Sequence, residues 1–224
     1  VIPWEEIDRT EVPGHKDEII LRKRGVEFSI RTAETELMNS RVHGSEDDLA
    51  RLSCGLIKQK KEQRILIGGL GMGYTLAAAL EESGLDARIL VSELIPAVVR
   101  WNREYLGHLA GNPLDDPRVL VKKEDVLKTI QQKKSYWDAI LLDVDNGPEG
   151  LTKKSNNRLY GMPGLQTSFM ALRSKGILAV WSSGEDDAFT KRLQKSGFKA
   201  KTVSVRARKS GKGSRHTIWL AEKP

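Results

Sequence analysis

Apolar and polar positions change their period along this chain. From Arg64 onward, short apolar runs of strand length recur at Arg64–Gly68, Ala87–Glu93, Val119–Lys123, Ala139–Asp143 and Ile177–Ser182. Between them apolar residues return at helical spacing, so Leu76, Leu80, Val98, Trp101, Leu127 and Ile130 are placed to face a sheet. Strand–helix alternation of this kind calls for a parallel sheet with right-handed crossovers and helices on its faces. After a helix over Asp186–Lys195 the alternation stops. Ala200–Arg208 and His216–Glu222 read as two strands joined directly through a basic Gly/Ser loop, a terminal hairpin added to the parallel strands. The expected fold class is α/β, a doubly wound, mostly parallel seven-stranded sheet.

Upstream the pattern differs. Asp17–Arg31 has short alternating apolar stretches around Gly25 and predicts a β-hairpin. Ser45–Glu46–Asp47–Asp48–Leu49 reads as a helix start, with Ser45 as the cap and Asp48 as a partial capping-box acid. That helix is expected to run to about Lys60 with Leu49, Leu52 and Leu56 near one face. The chain is therefore divided into an N-terminal β-hairpin extension, residues 1–44, and an α/β domain, residues 45–224.

The first apolar run of the α/β part ends in Gly68–Gly69–Leu70–Gly71–Met72–Gly73, and the second ends in Glu93. This is the layout of a nucleotide-binding βαβ unit. The glycines let the backbone turn sharply and approach a ligand, and the acid accepts hydrogen bonds from ribose hydroxyls. A dinucleotide fingerprint starting at Gly69 would need a third glycine where Tyr74 stands. The spacing Gly69, Gly71, Gly73 is instead similar to the S-adenosylmethionine-binding loop of class I methyltransferase folds, whose ligand has no pyrophosphate to lay against a helix N-terminus. The terminal hairpin has the same resemblance.

In an open α/β sheet, ligands bind beyond the carboxyl ends of the strands. Besides the glycine loop, Glu93 with Leu94, Asp125 with Val126, and Asp143 all fall there. An acid after a strand also caps helices, which is the alternative for Asp125. Asp145, in Asp145–Asn146–Gly147–Pro148, has strong turn chemistry around it. Asp143 follows an entirely apolar run, where an unpaired carboxylate is costly, and is read as a ligand contact.

Composition narrows the partners. The 224 residues carry a net charge of +7, with basic runs at Lys58–Lys61, Lys122–Lys123, Lys133–Lys134 and Arg206–Arg215. This opens a nucleic-acid partner. The aromatics are not interleaved with those runs, so solvated helix ends and loops are the favoured reading. Cys54 is the sole cysteine and the four histidines lack ligand-like spacing, so no metal site is expected. No apolar run approaches the roughly 20 residues of a membrane span, and the expectation is a cytoplasmic protein without a membrane partner.

From about Gly68 to its end the chain resembles the spermidine synthase-like (polyamine aminopropyltransferase) branch of the class I methyltransferase fold. The resemblance rests on the glycine loop, on Glu93 in Ser-Glu-Leu, on Asp143 in Leu-Leu-Asp-x-Asp-Asn-Gly-Pro, and on Leu159–Tyr160 and Phe169. It implies a nucleoside site formed by Gly68, Gly69, Gly71, Gly73, Glu93, Leu94, Asp125, Val126 and Asp143. It also implies that Asp143 orients or deprotonates an attacking amine, with Asp145 or Tyr160 assisting; plain packing is the alternative for Tyr160. The implied co-substrate is S-adenosylmethionine or its decarboxylated form, and the implied acceptor is a small molecule, an amine. By analogy with related synthases, the N-terminal hairpin would pair across a homodimer.

Two departures bear on the chemistry. The family carries an acid inside a G-G-G-D-G-G loop, where it binds the aminopropyl ammonium; Gly71 stands at that position here. The family's His-Glu-Met-like segment corresponds to Arg41–Glu46, where only His43 and Glu46 stand in. The expected function is accordingly an alkyl transferase of spermidine synthase-like ancestry, because methyl transfer does not need the lost loop acid. True aminopropyl transfer from decarboxylated S-adenosylmethionine is the alternative. A nucleic-acid methyltransferase and a non-catalytic nucleoside-binding protein are two further ones.

Overall fold

The computed structural model describes residues 2–14, 16–144, 158–208 and 213–224. It begins with an antiparallel sheet of four strands in sequence order, β1 (Glu5–Glu11), β2 (Glu18–Arg24), β3 (Glu27–Arg31) and β4 (Glu36–Asn39). The predicted hairpin is the central pair, β2 and β3, turning at Gly25. The two outer strands were not anticipated. No residue of β1 is fully buried, so it lacks the apolar alternation that marks a strand in sequence; its ladder to β2 supplies the order. Asp8 fastens this sheet to the rest of the chain. Its carboxylate accepts from the Trp101 indole Nε1 at 2.6 Å and from the Arg100 guanidinium.

Helix α1 (Gly44–Ile57) follows, and it departs from expectation at both ends. Ser45 does not cap it; its hydroxyl donates to the Glu46 carboxylate at 2.7 Å instead, and His43 occupies the cap position without a side-chain bond to the helix backbone. The helix stops at Ile57, and Leu56 is 48% exposed. The buried face is Leu49, Ala50, Ser53, Cys54 and Ile57.

The α/β alternation then runs β5 (Arg64–Gly68), α2 (Tyr74–Glu82), β6 (Arg88–Ser92), α3 (Pro96–Trp101), β7 (Val119–Lys122), α4 (Val126–Gln131) and β8 (Trp137–Leu142). It continues with α5 (Met162–Ala171), β9 (Leu172–Ser182), α6 (Asp187–Lys195), β10 (Lys199–Arg206) and β11 (Arg215–Glu222). The strands form one seven-stranded sheet in the order β10-β11-β9-β8-β5-β6-β7. Pairing is parallel from β7 across to β9, while β11 is antiparallel to both its neighbours. The terminal hairpin thus inserts its second strand beside β9, as the expected fold class requires.

Alternate side chains of each central strand enter two separate cores. Ile65 and Ile67 join Ile89, Val91 and Leu141 on one face, beneath α1, α2, α3 and the apolar residues of the small sheet. Leu66, Ile140, Leu142, Leu178 and Trp219 pack on the other face with α4, α5 and α6. Strands buried on both faces read as continuous apolar runs, which is why these were legible. Asp138 is the exception in fully buried β8. It is held by Lys60 at 3.2 Å, by Arg173 at 3.1 Å and by the Arg64 N–H at 3.0 Å, at the end of the sheet away from the glycine loop.

Candidate active site

The carboxyl ends of β5, β6 and β8 meet beneath the small sheet, and a cavity of about 330 Å³ lies between them. Its floor is the loop after β5. Gly69 and Gly71 both take a positive φ, +86° and +52°. A Cβ on Gly69 would lie 2.5 Å from the Asp143 carbonyl oxygen, so at this glycine the backbone closely approached is the end of β8 rather than a ligand. A Cβ on Gly71 would meet the Met38 thioether of β4 at 3.1 Å. The side chain that fills the space beside the family's acid position is therefore an apolar one from the small sheet. Gly68 and Gly73 lie behind the cavity wall, against Val126 and Leu142, and against Asn102 and Pro113.

Glu93 locks the loop. It is 6% exposed, and its two carboxylate oxygens accept from the Leu70 N–H and the Ile95 N–H, both at 2.8 Å. These two bonds fix the orientation of the carboxylate at the cavity that Glu93 lines. Leu94 and Val126 line the same cavity. Asp125 caps α4 through the Leu127 N–H at 2.8 Å, the alternative named for it, and it also lines the cavity.

Asp143 lies at the end of β8 and faces the cavity. Its Oδ2 accepts from the Thr75 hydroxyl at 2.7 Å, and that hydroxyl also lies 3.4 Å from the Glu46 carbonyl oxygen. Tyr160 is buried against Phe189, 5.8 Å between ring centroids, with its hydroxyl donating to the Val144 carbonyl at 3.4 Å; it is not on the cavity wall. Asp145 lies outside the described residues.

Several wall residues carried no sequence signal for this role. Asp17, Thr32, Leu37 and Met38 come from the small sheet and its loops, and Trp181 from β9. Asn102, in a π-helical turn after α3, donates to the Gly71 carbonyl at 2.7 Å and holds the loop from behind. Glu46 was singled out only as a stand-in within Arg41–Glu46; here its carboxyl and that of Asp143 share one cavity.

The two carboxyls do not ionise independently. Burial, and then the Asp143 charge, push Glu46 up to about 8. Burial also raises Asp143, against the opposing hydrogen bond from Thr75. At neutral pH the pair therefore holds a proton. A carboxyl raised on folding holds a proton that the unfolded chain has released. Its contribution to stability declines as pH rises from its ordinary value of 4.5 toward about 8, and is constant above. We expect wild-type stability to fall across that window and Glu46→Gln to flatten the slope, measured by urea unfolding between about pH 5 and about pH 9.

With this geometry in hand, comparison with known proteins is direct. The spermine/spermidine synthase domain family model matches residues 49–196. The chain belongs to the spermine/spermidine synthase family. Curated relatives include the polyamine aminopropyltransferases of Alkaliphilus oremlandii, 34% identical over 121 residues, and Clostridium beijerinckii, 36% identical over 119 residues. Those matches cover 53% and 52% of this chain, and 39% and 38% of the relatives. The chain thus matches well under half the length of these relatives of the family. Among solved structures, the spermidine synthase of Thermotoga maritima superposes with a TM-score of 0.75 at 18% identity, over 98% of this chain and 73% of that one. A spermidine synthase in complex with the transition-state analogue AdoDATO superposes at 0.74, also 18% identical, over 98% of this chain and 72% of that one. At that identity the likeness is one of fold.

Proposed function

We propose that this member of the family transfers an alkyl group from a sulfonium nucleoside to an amine. The observation that carries the reading is the charge of the cavity. In a chain of net charge +7, Asp17, Glu46, Glu93, Asp125 and Asp143 all line it, and among the described lining residues Arg158 is the single cation. An anionic, half-enclosed cavity in a basic protein favours cations, and both a sulfonium and an ammonium are cations. The relatives' name, polyamine aminopropyltransferase, agrees with an amine acceptor.

The chemistry follows from the layout. The ribose rests on Glu93, with the adenine toward Asp125 and Val126. The amine nitrogen attacks the carbon beside sulfur; the N–C bond forms, the C–S bond breaks and its electron pair stays on the sulfur. The sulfonium is already a good leaving group. What this chain's residues contribute is alignment, exclusion of water, and acceptance by Asp143 of the proton the nitrogen loses.

The donor is S-adenosylmethionine or its decarboxylated form. The names of the relatives favour the decarboxylated form and aminopropyl transfer. A second reading, methyl transfer from S-adenosylmethionine, is favoured by the Met38 thioether over Gly71, which offers an aminopropyl ammonium no charge partner. Calorimetric titration with S-adenosylmethionine, S-adenosylhomocysteine, decarboxylated S-adenosylmethionine and methylthioadenosine separates them. Tighter binding of the last two is the expected result for aminopropyl transfer, and tighter binding of the first two for methyl transfer. Binding of none would remove the nucleoside site from consideration.

A further inference from the structure

A line of hydrogen bonds leads from the carboxyl pair to the terminal hairpin. The Ser45 hydroxyl, fully buried, lies 2.7 Å from Glu46 Oε2 and 2.9 Å from His216 Nδ1. His216 Nε2 lies 3.0 Å from the hydroxyl of Ser214, which is exposed. The His216 ring is fixed edge-on against Trp181, 4.9 Å between centroids, and Trp181 itself lines the cavity. The start of α1 is tied to the terminal hairpin by the Gly44 N–H bonded to the Ala207 carbonyl at 2.8 Å, which keeps Ser45 and His216 in register.

We propose that Ser45, His216 and Ser214 form the path by which a proton leaves the Asp143–Glu46 pair for solvent. Its use in turnover rests on the amine-alkylation reading above. Alkylating an amine releases one proton per cycle into a cavity whose carboxyl pair already holds one. A second proton held there would leave the pair neutral and unable to accept the next. The path removes it without a charged intermediate being stranded. Glu46 passes its proton to the Ser45 oxygen as Ser45 passes its own to His216 Nδ1, and the Nε2 proton of His216 goes to Ser214 and water.

Each link is suited to this. Ser45 has one proton and two lone pairs, so it donates to Glu46 when that group is ionised and to His216 when Glu46 is protonated. Burial lowers the His216 pKa, so the ring is neutral and can accept at Nδ1 while donating at Nε2. Among the described residues, other titratable groups near the path are His43 and Asp47, 3.1 Å apart at the start of α1, and Tyr74 of α2, stacked on His43 with centroids 3.9 Å apart. On the hairpin, Arg206 and Arg215 lie opposite each other in the ladder and are exposed. None of the links named above runs through these groups.

The test uses the full chain labelled with ¹⁵N at histidine. Across a pH titration, the His216 ring nitrogens should report an inflection belonging to the carboxyl pair in addition to their own. Glu46→Gln should abolish that inflection, and so should Ser45→Ala. An unchanged His216 titration in both variants would overturn the proposal whether or not a substrate is known. With an amine that the wild type alkylates, His216→Gln keeps hydrogen bonds on both sides but has no titrating ring. It should lower kcat about 100-fold, the lower end of what a positioned acid or base contributes, with nucleoside affinity unchanged. Wild-type kcat and pH profile in His216→Gln would also overturn it. Absence of turnover with every amine, with the NMR linkage intact, would instead overturn the alkylation reading.

Discussion

Glu93→Ala is expected to weaken nucleoside binding sharply and to weaken the fold at the same time. The carboxylate bonds two backbone N–H groups, of Leu70 in the loop after β5 and of Ile95 in the loop after β6. Removing it leaves both without that acceptor, at a cost of about 1–3 kcal/mol for each that stays buried. The ribose loses two charge-assisted bonds, each worth about 1.5–3 kcal/mol, so affinity should fall by at least about 100-fold. Thermal unfolding should move down by roughly 2–4 °C for each kcal/mol lost. Glu93→Gln is the informative companion. It keeps the volume and one acceptor oxygen but turns an N–H donor toward a second N–H donor, so it should fall between the wild type and alanine in both measurements. Calorimetric titration and unfolding of the same preparations check this. Full nucleoside affinity in Glu93→Ala would place the ribose elsewhere.

Asp143→Asn should lower turnover by about 10²–10⁴-fold, the range for removing a positioned general base. The amide oxygen can still accept from Thr75, so the strand end and its contact with Gly69 are retained. Nucleoside affinity should therefore change far less than kcat, which steady-state kinetics with any alkylated amine, alongside calorimetry, would resolve. The same substitution has a readout that needs no substrate. Removing the Asp143 charge removes a cause of the raised Glu46 pKa, so the decline of stability with pH should level off at lower pH, and be smaller in total, in Asp143→Asn than in the wild type. A kcat equal to wild type would exclude Asp143 as the proton acceptor.

The sheet was legible because its strands are buried on both faces and its crossovers are helical. Each predicted central strand lies within a few residues of its observed limits, from Arg64–Gly68, which coincides, to β9, which starts earlier, at Leu172. The early start of β9 passes through Lys175 at a positive φ and Gly176, an irregularity that breaks the apolar run read from sequence. The small sheet was half legible. β1 and β4 are ordered by ladders to partners that alternation cannot reveal, and β1 presents mostly charged residues. The site divides in the same way. Glu93, Asp125 and Asp143 could be found because strand ends in an open α/β sheet are where ligands bind. Met38, Asp17 and Trp181 could not, since each reaches the cavity by tertiary packing of an element whose own pattern says nothing about a ligand. Ser45 was misread as a cap because local capping chemistry and a long-range bond to His216, 171 residues away, draw on the same hydroxyl.

The cavity has one rigid wall and one replaceable wall. The rigid wall is the nucleoside loop, pinned by Glu93 and set so tightly on the end of β8 that Gly69 leaves no room for a methyl group beside the Asp143 backbone. On the reading proposed above, a change there disturbs donor binding and the Asp143 carboxylate together, which leaves little freedom for drift. The opposite wall is Val12, Thr32, Leu37 and Met38, side chains on a sheet held up by backbone ladders that do not depend on them. On the proposed reading, substitutions at Val12, Thr32 and Leu37 alter what fits beside the donor, and those at Met38, which packs on Gly71, also alter the space beside the loop. If the proposed alkyl transfer holds, a scaffold divided in this manner can exchange one acceptor for another over evolutionary time, or in a directed library confined to these four positions, while the displacement at sulfur is inherited unchanged.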